Sequence, residues 1–259
     1  MASVCNSPVE IRESRGVRTL HFGSDWVQGA MRVNRPWDLE LAYTREMMAS
    51  LLLSAQWPAM PVTILQIGLG AGSLTRFVYR YLPDARQTVV ELSPAVVSAA
   101  QQMFQLPSQS ERLIIEISEG AGWLAETTQC FDLILVDGYD ADAKTGSLES
   151  TAFYQSCLAH LNPGGLLVTN LLSRSPRFLE TGLTLNAAFD GRVRFLPQTP
   201  GGNVIALAAE ADTTSLDEEV LRARAAVLSA SCNLDLLPLV DRIVAEEGGL
   251  PLGVMRITS

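Results

Sequence analysis

A chain of 259 residues with 28 acidic against 19 basic side chains carries a formal charge of −9, which excludes general binding to nucleic acid, because that needs a basic surface to neutralise phosphates. The length suits one large domain, or a main domain with a small appendage, around a substantial core. The longest apolar runs, such as "FDLILV", fall far short of the roughly 20 residues a membrane span requires, and the N-terminus lacks a basic start and apolar core, so the expectation is a cytoplasmic protein without a membrane partner.

The first 35 residues hold short β-prone pieces, "VEIRE" and "VRTLHFG", parted by Ser14-Arg15-Gly16 and followed by "MRVN", which predicts a small hairpin region. Apolar residues then recur at helical spacing from Trp37 to Ser54, ahead of Pro58 and Pro61, predicting a helix that leads into the main domain. From Val62 onward strands and helices alternate. The predicted strands are "VTILQIG", "QTVVEL", "RLIIEIS", "FDLILVD", "LLVTNLL", "GRVRFLP" and "NVIALAAE", with Asn162-Pro163-Gly164-Gly165 turning the chain into the fifth. Alternation of this kind gives an α/β fold, with parallel strands joined by crossover helices. Two helices are expected in the tail, the first opened by a Ser215-x-x-Glu218 capping box. The predicted divisions are 1–57, a hairpin region and linking helix; 58–212, the main domain; and 213–259, a helical extension.

Ligands of an open parallel sheet bind at the carboxyl ends of its strands. The first of the alternating strands ends at Gly68-Leu69-Gly70-Ala71-Gly72, where glycines allow a tight turn and close approach of a ligand. Glu91 follows at the end of the next strand, about 20 residues on, where a carboxylate accepts hydrogen bonds from both ribose hydroxyls. A nucleoside is therefore expected. Ser73 stands where an NAD fingerprint needs its third glycine, and the tighter turn fits adenosylmethionine binders. The third strand places Glu119-Gly120 at the same edge, within reach of an adenine amino group, and the fourth places Asp137 and Asp140 there. Each acid alone would pass for a turn former or a solvated strand end; the series on one rim does not. Cys5, Cys130, Cys157, Cys232, His21 and His160 show no metal-ligand spacing, so no metal is expected.

At these residues the chain resembles the spermidine synthase (polyamine aminopropyltransferase) family. The resemblance runs from about Val9 to Ala209 and includes the N-terminal hairpins, "YTREMMA", the glycine turn, "VVELSP", "SEG", "DLILVDGYD", "FYQSCLAHLNPGGLLV" and "LPQTPGGNVIAL". It implies a seven-stranded Rossmann-like sheet of the class I methyltransferase type behind a small N-terminal β domain, and a homodimer. It also implies transfer of an aminopropyl group from decarboxylated S-adenosylmethionine to an amine such as putrescine, with no metal. Gly68, Gly70, Gly72, Glu91, Leu92, Glu119 and Gly120 then hold the nucleoside, Asp137 accepts the proton, its pKa raised by burial near like charges, and Asp140, Tyr43 and Arg45 line the amine side. Where the family carries an aspartate for the terminal amine of the adenosyl substrate, this chain has Ala71, and Thr199-Pro200-Gly201-Gly202 replaces Tyr-Pro-Ser-Gly. Arg45 beside a polyamine would repel it unless an acid paired with it; a local salt bridge to Glu40 or Glu46 is the other reading. Two alternatives stay open: an S-adenosylmethionine-dependent methyltransferase, against which Gln66 stands where such enzymes carry an acid, and a catalytically silent nucleoside-binding homologue.

Overall fold

The computed structural model describes residues 8–139, 145–210 and 217–245. Strands β1 (Val9–Ser14), β2 (Val17–Phe22) and β3 (Gly29–Arg32) form a three-stranded antiparallel sheet. Arg15 and Gly16 join the first two, both at positive φ of 51° and 74°, the two-residue turn whose twist matches that of the strands it joins. This sheet has no separate core: Leu20 and Met31 pack with Leu69, Val89 and Val96 of the main domain.

The helix expected over Trp37–Ser54 is shorter and broken, into α1 (Ala42–Met47) and α2 (Ala49–Leu53). Arg45 explains the late start, because its guanidinium donates to the carbonyl oxygens of Leu39 and Glu40 and so ties the approaching chain off the helical path. The break falls at Met48, with neither glycine nor proline to announce it.

The seven-stranded sheet contains β4 (Thr63–Ile67), β5 (Arg86–Glu91), β6 (Leu113–Ile117), β7 (Phe131–Val136), β8 (Leu161–Leu172), β9 (Val193–Phe195) and β10 (Asn203–Ala209), in the order β6-β5-β4-β7-β8-β10-β9. The first five in that order are parallel, whereas β10 runs antiparallel to both neighbours. Helices α3 (Ser73–Tyr81), α4 (Pro94–Met103), α5 (Gly120–Glu126), α6 (Thr151–Ala159) and α7 (Phe178–Ala188) connect them. Successive side chains of a strand point to opposite faces, and here both faces are buried. Ile64, Leu133, Leu135 and Val168 join one core cluster, while Leu65, Ile134, Val136 and Leu167 join the other, which is why β4 and β7 read as nearly unbroken apolar runs. The Asn162–Gly165 segment is a bulge within β8 rather than a turn before it: pairing with β7 jumps from Phe131–Leu161 to Leu133–Leu166.

Two further helices, α8 (Glu218–Cys232) and α9 (Leu237–Ala245), pack on this chain. Leu221, Leu228, Leu239 and Val240 join the cluster that holds Leu52 and Leu82. The expected capping box is corrected: Asp217 is the N-cap of α8 and accepts from the Val220 N–H at 2.9 Å, while Ser215 lies outside the described residues. Arg224 donates to the carbonyls of Leu52 and Ser54, and Arg242 of α9 pairs with Glu46 of α1, whose side chain is only 8% exposed. No helix among the described residues is long and apolar enough to cross a membrane.

The charge at the centre of this packing is Arg76 of α3, which is fully buried. Its guanidinium donates to the carbonyls of Pro36, Ala71 and Phe104. Burial pulls its pKa down to about 9, which still leaves it a cation at neutral pH. Arg76→Met keeps the volume but strips those carbonyls of their donors, and removing one partner from such a buried charged network costs about 3 kcal/mol or more. Urea unfolding of the variant is expected to show that loss in midpoint with an unchanged slope.

Candidate active site

β4 and β7 lie side by side, and the chain leaves them towards opposite edges of the sheet, to β5 from one and to β8 from the other. Such a switch point opens a crevice at the carboxyl ends. A cavity of about 900 Å³ lies there, between that rim and the loop joining β2 to β3. Gly68 makes the crevice tight: it has φ of 91°, and a Cβ on it would stand 2.2 Å from the Asp137 carbonyl oxygen. No other residue fits.

Glu91, at the end of β5, is 9% exposed. Its Oε2 accepts from the Leu69 N–H at 2.8 Å and its Oε1 from the Ser93 N–H at 2.9 Å, so the carboxylate braces the glycine turn from the neighbouring strand. Burial raises its pKa, and the backbone N–H groups of Leu69 and Ser93 offset part of that rise. The Gly70 and Leu92 N–H groups also lie near enough to favour its ionised form. Leu92, 41% exposed, lines the cavity beside it.

Glu119 is the N-cap of α5. Its Oε2 accepts from the Gly122 N–H at 2.7 Å, and its Oε1 accepts from the Ala121 N–H at 3.2 Å and the Ser147 hydroxyl at 2.6 Å. Burial works against its ionisation, but the Ser147 hydroxyl and these N–H groups outweigh it and hold the carboxyl below its usual range. Of the about four acceptor sites of a carboxylate, three are thus filled from within, leaving one on Oε2 for a ligand. Gly120 lies against the core, where a Cβ would meet Ile67 at 2.4 Å.

Asp137 follows β7. Its Oδ1 accepts from Asn170 Nδ2 at 2.9 Å, and the Tyr43 hydroxyl of α1 lies beside the same carboxylate, close enough to lower its pKa. Its pKa is raised by burial, with Asn170 and Tyr43 pulling the other way; among the described residues it is this desolvation, and not neighbouring like charges as expected, that lifts it. Tyr43 therefore reaches the site. Arg45 does not: its side chain is spent on the Leu39 and Glu40 carbonyls and is absent from the cavity lining. The salt bridge considered for it is likewise not formed, since Glu40 pairs with Arg32 and Glu46 with Arg242. Asp140 lies outside the described residues.

Two departures noted in the sequence acquire a physical reading. Gln66 anchors the turn from below, its Nε2 donating to the Gly68 carbonyl at 2.7 Å while its Oε1 accepts from Thr75 and Gln87. Ala71 is 2% exposed, and a Cβ on Gly29 of β3 would stand 2.6 Å from its own. Gly29 is thus the residue that lets the β3 backbone pack directly on the Ala71 methyl.

Asn170, Asn203, Ser147 and Gln28 were not singled out from the sequence, although all four line the cavity. Asn170 had a signal, a polar residue near the end of an apolar strand at the carboxyl rim; the other three had none. Across the cavity, Arg174 lies over the ring of Trp26 at 4.4 Å and joins the β2–β3 loop to the segment after β8. No group of three or more His, Cys, Asp or Glu among the described residues is arranged to hold a metal ion.

Comparison with known proteins bears on this arrangement. The spermine/spermidine synthase domain family matches residues 40–181, which include β4 to β8 and Glu91, Glu119 and Asp137. The chain belongs to the spermine/spermidine synthase family. Among its relatives, a polyamine aminopropyltransferase from Neisseria meningitidis serogroup B is 37% identical over 88% of this chain and 85% of that protein. One from Chromobacterium violaceum is 37% identical over 91% and 88%. The crystal structure of a probable spermidine synthase from Corynebacterium glutamicum superposes with a TM-score of 0.73 at 20% identity, covering 87% of this chain and 85% of that one, a likeness of fold.

Within this family frame, the packing of Ala71 makes a prediction. Ala71→Asp crowds a carboxylate into the 2%-exposed contact between the glycine turn and the β3 backbone. Overpacking and an unpaired buried charge together are expected to cost about 3 kcal/mol, read as a lowered urea midpoint.

Proposed function

We propose that the protein transfers an aminopropyl group from decarboxylated S-adenosylmethionine to a small amine such as putrescine. The observation that carries this reading is the buried Asp137 carboxylate at the switch point, which accepts from the Asn170 amide and has the Tyr43 hydroxyl beside it. In this reading the ribose hydroxyls sit on Glu91, the adenine lies between Leu92 and Gly120, and its amino group meets the remaining site of Glu119. Gly68, Gly70 and Gly72 bring the backbone close to the nucleoside. A sulfonium activates the adjoining carbon by itself, so the task left to the protein is to align an uncharged amine with that carbon and to exclude water. An ammonium has no lone pair, so Asp137 orients the acceptor and takes up its proton. The nitrogen lone pair forms the new C–N bond, the C–S pair passes to sulfur, methylthioadenosine leaves, and the proton released from nitrogen goes to Asp137. Asp140 supplies the second amine contact in this scheme, and Tyr43 steadies Asp137.

The methyltransferase alternative gains nothing from the site, since Gln66 is wholly engaged below the turn. Family membership also supports a homodimer in the cytoplasm.

The test is turnover: methylthioadenosine released from decarboxylated S-adenosylmethionine with putrescine and related amines as acceptors. Asp137→Asn is expected to lower kcat by about 10²- to 10⁴-fold while methylthioadenosine binds with unchanged Kd; full turnover in that variant removes the assigned role. A second measurement addresses Glu91. Its raised pKa means that the ionised form needed for the diol prevails only above the ordinary carboxylate range, so affinity is full above the shifted pKa and lost as pH falls through it. Calorimetry with methylthioadenosine is expected to show a fall of about tenfold per pH unit below that point, and a weak, nearly pH-independent affinity in Glu91→Gln.

A further inference from the structure

Because β10 runs antiparallel to β8, its first residue stands at the rim that β8 reaches only near its end. Asn203 therefore lies beside Asn170, with Asn203 paired to Leu172 and Ile205 to Asn170. Asn203 Nδ2 donates to Asn170 Oδ1 at 3.0 Å, and Asn170 Nδ2 donates to Asp137 Oδ1 at 2.9 Å. At the far end, the Asn203 N–H donates to Thr199 Oγ1 at 3.0 Å, which leaves the threonine hydroxyl, 3.5 Å away, directed at Asn203 Oδ1. Thr199 is 2% exposed, so this end of the chain of hydrogen bonds is anchored on a buried residue.

The direction of the chain follows from chemistry. An ionised carboxylate only accepts, so Asn170 must turn its NH2 to Asp137 and its carbonyl to Asn203. Asn203 must then offer its own NH2, leaving its carbonyl for the threonine. Every link points the same way: hydroxyl to amide, amide to amide, amide to carboxylate. Aligned chains of this sort strengthen one another in a low-dielectric interior. Tyr139 adds a clamp, its hydroxyl donating to the Asn170 main-chain carbonyl at 2.6 Å.

We propose that Asn170 and Asn203 are positioning residues for the reaction, a two-amide relay anchored on Thr199 that fixes the orientation of the Asp137 carboxylate and sets the pH at which it takes up a proton. This rests on the reading of Asp137 as the group that meets the acceptor amine. Among the described residues the titratable groups acting on Asp137 are Tyr43 of α1 and Tyr139 beyond β7. Both phenols are driven up by burial and then by the Asp137 charge itself, so neither ionises in competition with it. The relay is the adjustable element. Without Asn203 or Thr199 the Asn170 amide is no longer held in line, its hydrogen bond to the carboxylate weakens, and the pKa of Asp137 rises.

The test reads Asp137 directly. In protein labelled with carbon-13 at the aspartate carboxyl, the Asp137 resonance is identified by its loss in Asp137→Asn, then titrated in the wild type, Asn203→Ala and Thr199→Val. An upward shift of about one pKa unit is expected in Asn203→Ala, and a smaller one in Thr199→Val, a near-isosteric change that serves if Asn203→Ala does not fold. The acidic limb of the kcat profile is expected to move by the same amount, with KM for the acceptor little changed. An unshifted Asp137 resonance in a folded variant overturns the proposal, as does a uniform loss of kcat with the limb in place. The titration needs no turnover. If the wild type transfers no aminopropyl group to any amine, the proposed function falls, and the resonance alone still decides whether the relay governs Asp137.

Discussion

Arg76 draws three separated stretches of chain to one point: the approach to α1 at Pro36, the glycine turn at Ala71 and the end of α4 at Phe104. Each contributes a carbonyl, and none of these acceptors is a carboxylate. Taking a full charge out of water is costly, so the arrangement persists only because the guanidinium's fork of donors meets carbonyls already fixed by α3, α4 and the turn. The conformation of the turn follows. Leu69 gives its N–H to Glu91 and Gly68 its carbonyl to Gln66, so the loop is held from the side and from below as well as by Arg76. A ligand meets a surface that is already in place, and the ordering cost of binding falls accordingly.

The two sides of the cavity are built by different means. Around Glu91 and Glu119 the acids come from the strand ends and are partly satisfied by backbone N–H groups, which fixes their direction. On the other side Ala71 packs against Gly29, and Asp137 is addressed by side chains from α1 and β8. The first construction depends on local backbone geometry and the second on contacts between elements far apart in the chain.

That contrast explains what the sequence disclosed. All seven strands of the main sheet were readable, the central ones because a strand buried on both faces is an apolar run between turn residues, and edge strand β6 from its β-branched run despite exposed Ile114 and Ile117. The glycine turn, Glu91, Glu119 and Asp137 were readable because strand ends at a switch point are chemically conspicuous. Tyr43 came from family likeness and does reach the cavity, whereas Arg45, two residues on along the same helix, turns back to cap the chain before it. Nothing in its local pattern separates those fates. The break at Met48 and the bulge in β8 are likewise imposed by packing on residues of ordinary propensity. Asn203 was hidden for a topological reason: only the reversed direction of β10 brings the start of a strand to the ligand rim.

The pairing of Arg242 with Glu46 sets an order on the birth of the protein. Translation runs from the N-terminus and domains take shape as they emerge, so the glycine turn, Glu91, Glu119 and Ser147 have all left the ribosome while α9 is still unmade. Glu46 sits one helical turn from Tyr43 and waits for a cation supplied almost 200 residues later. The helix that carries Tyr43 is therefore locked only when the last described helix docks, and with it the core cluster that Leu239 and Val240 share with Ile64 and Leu135.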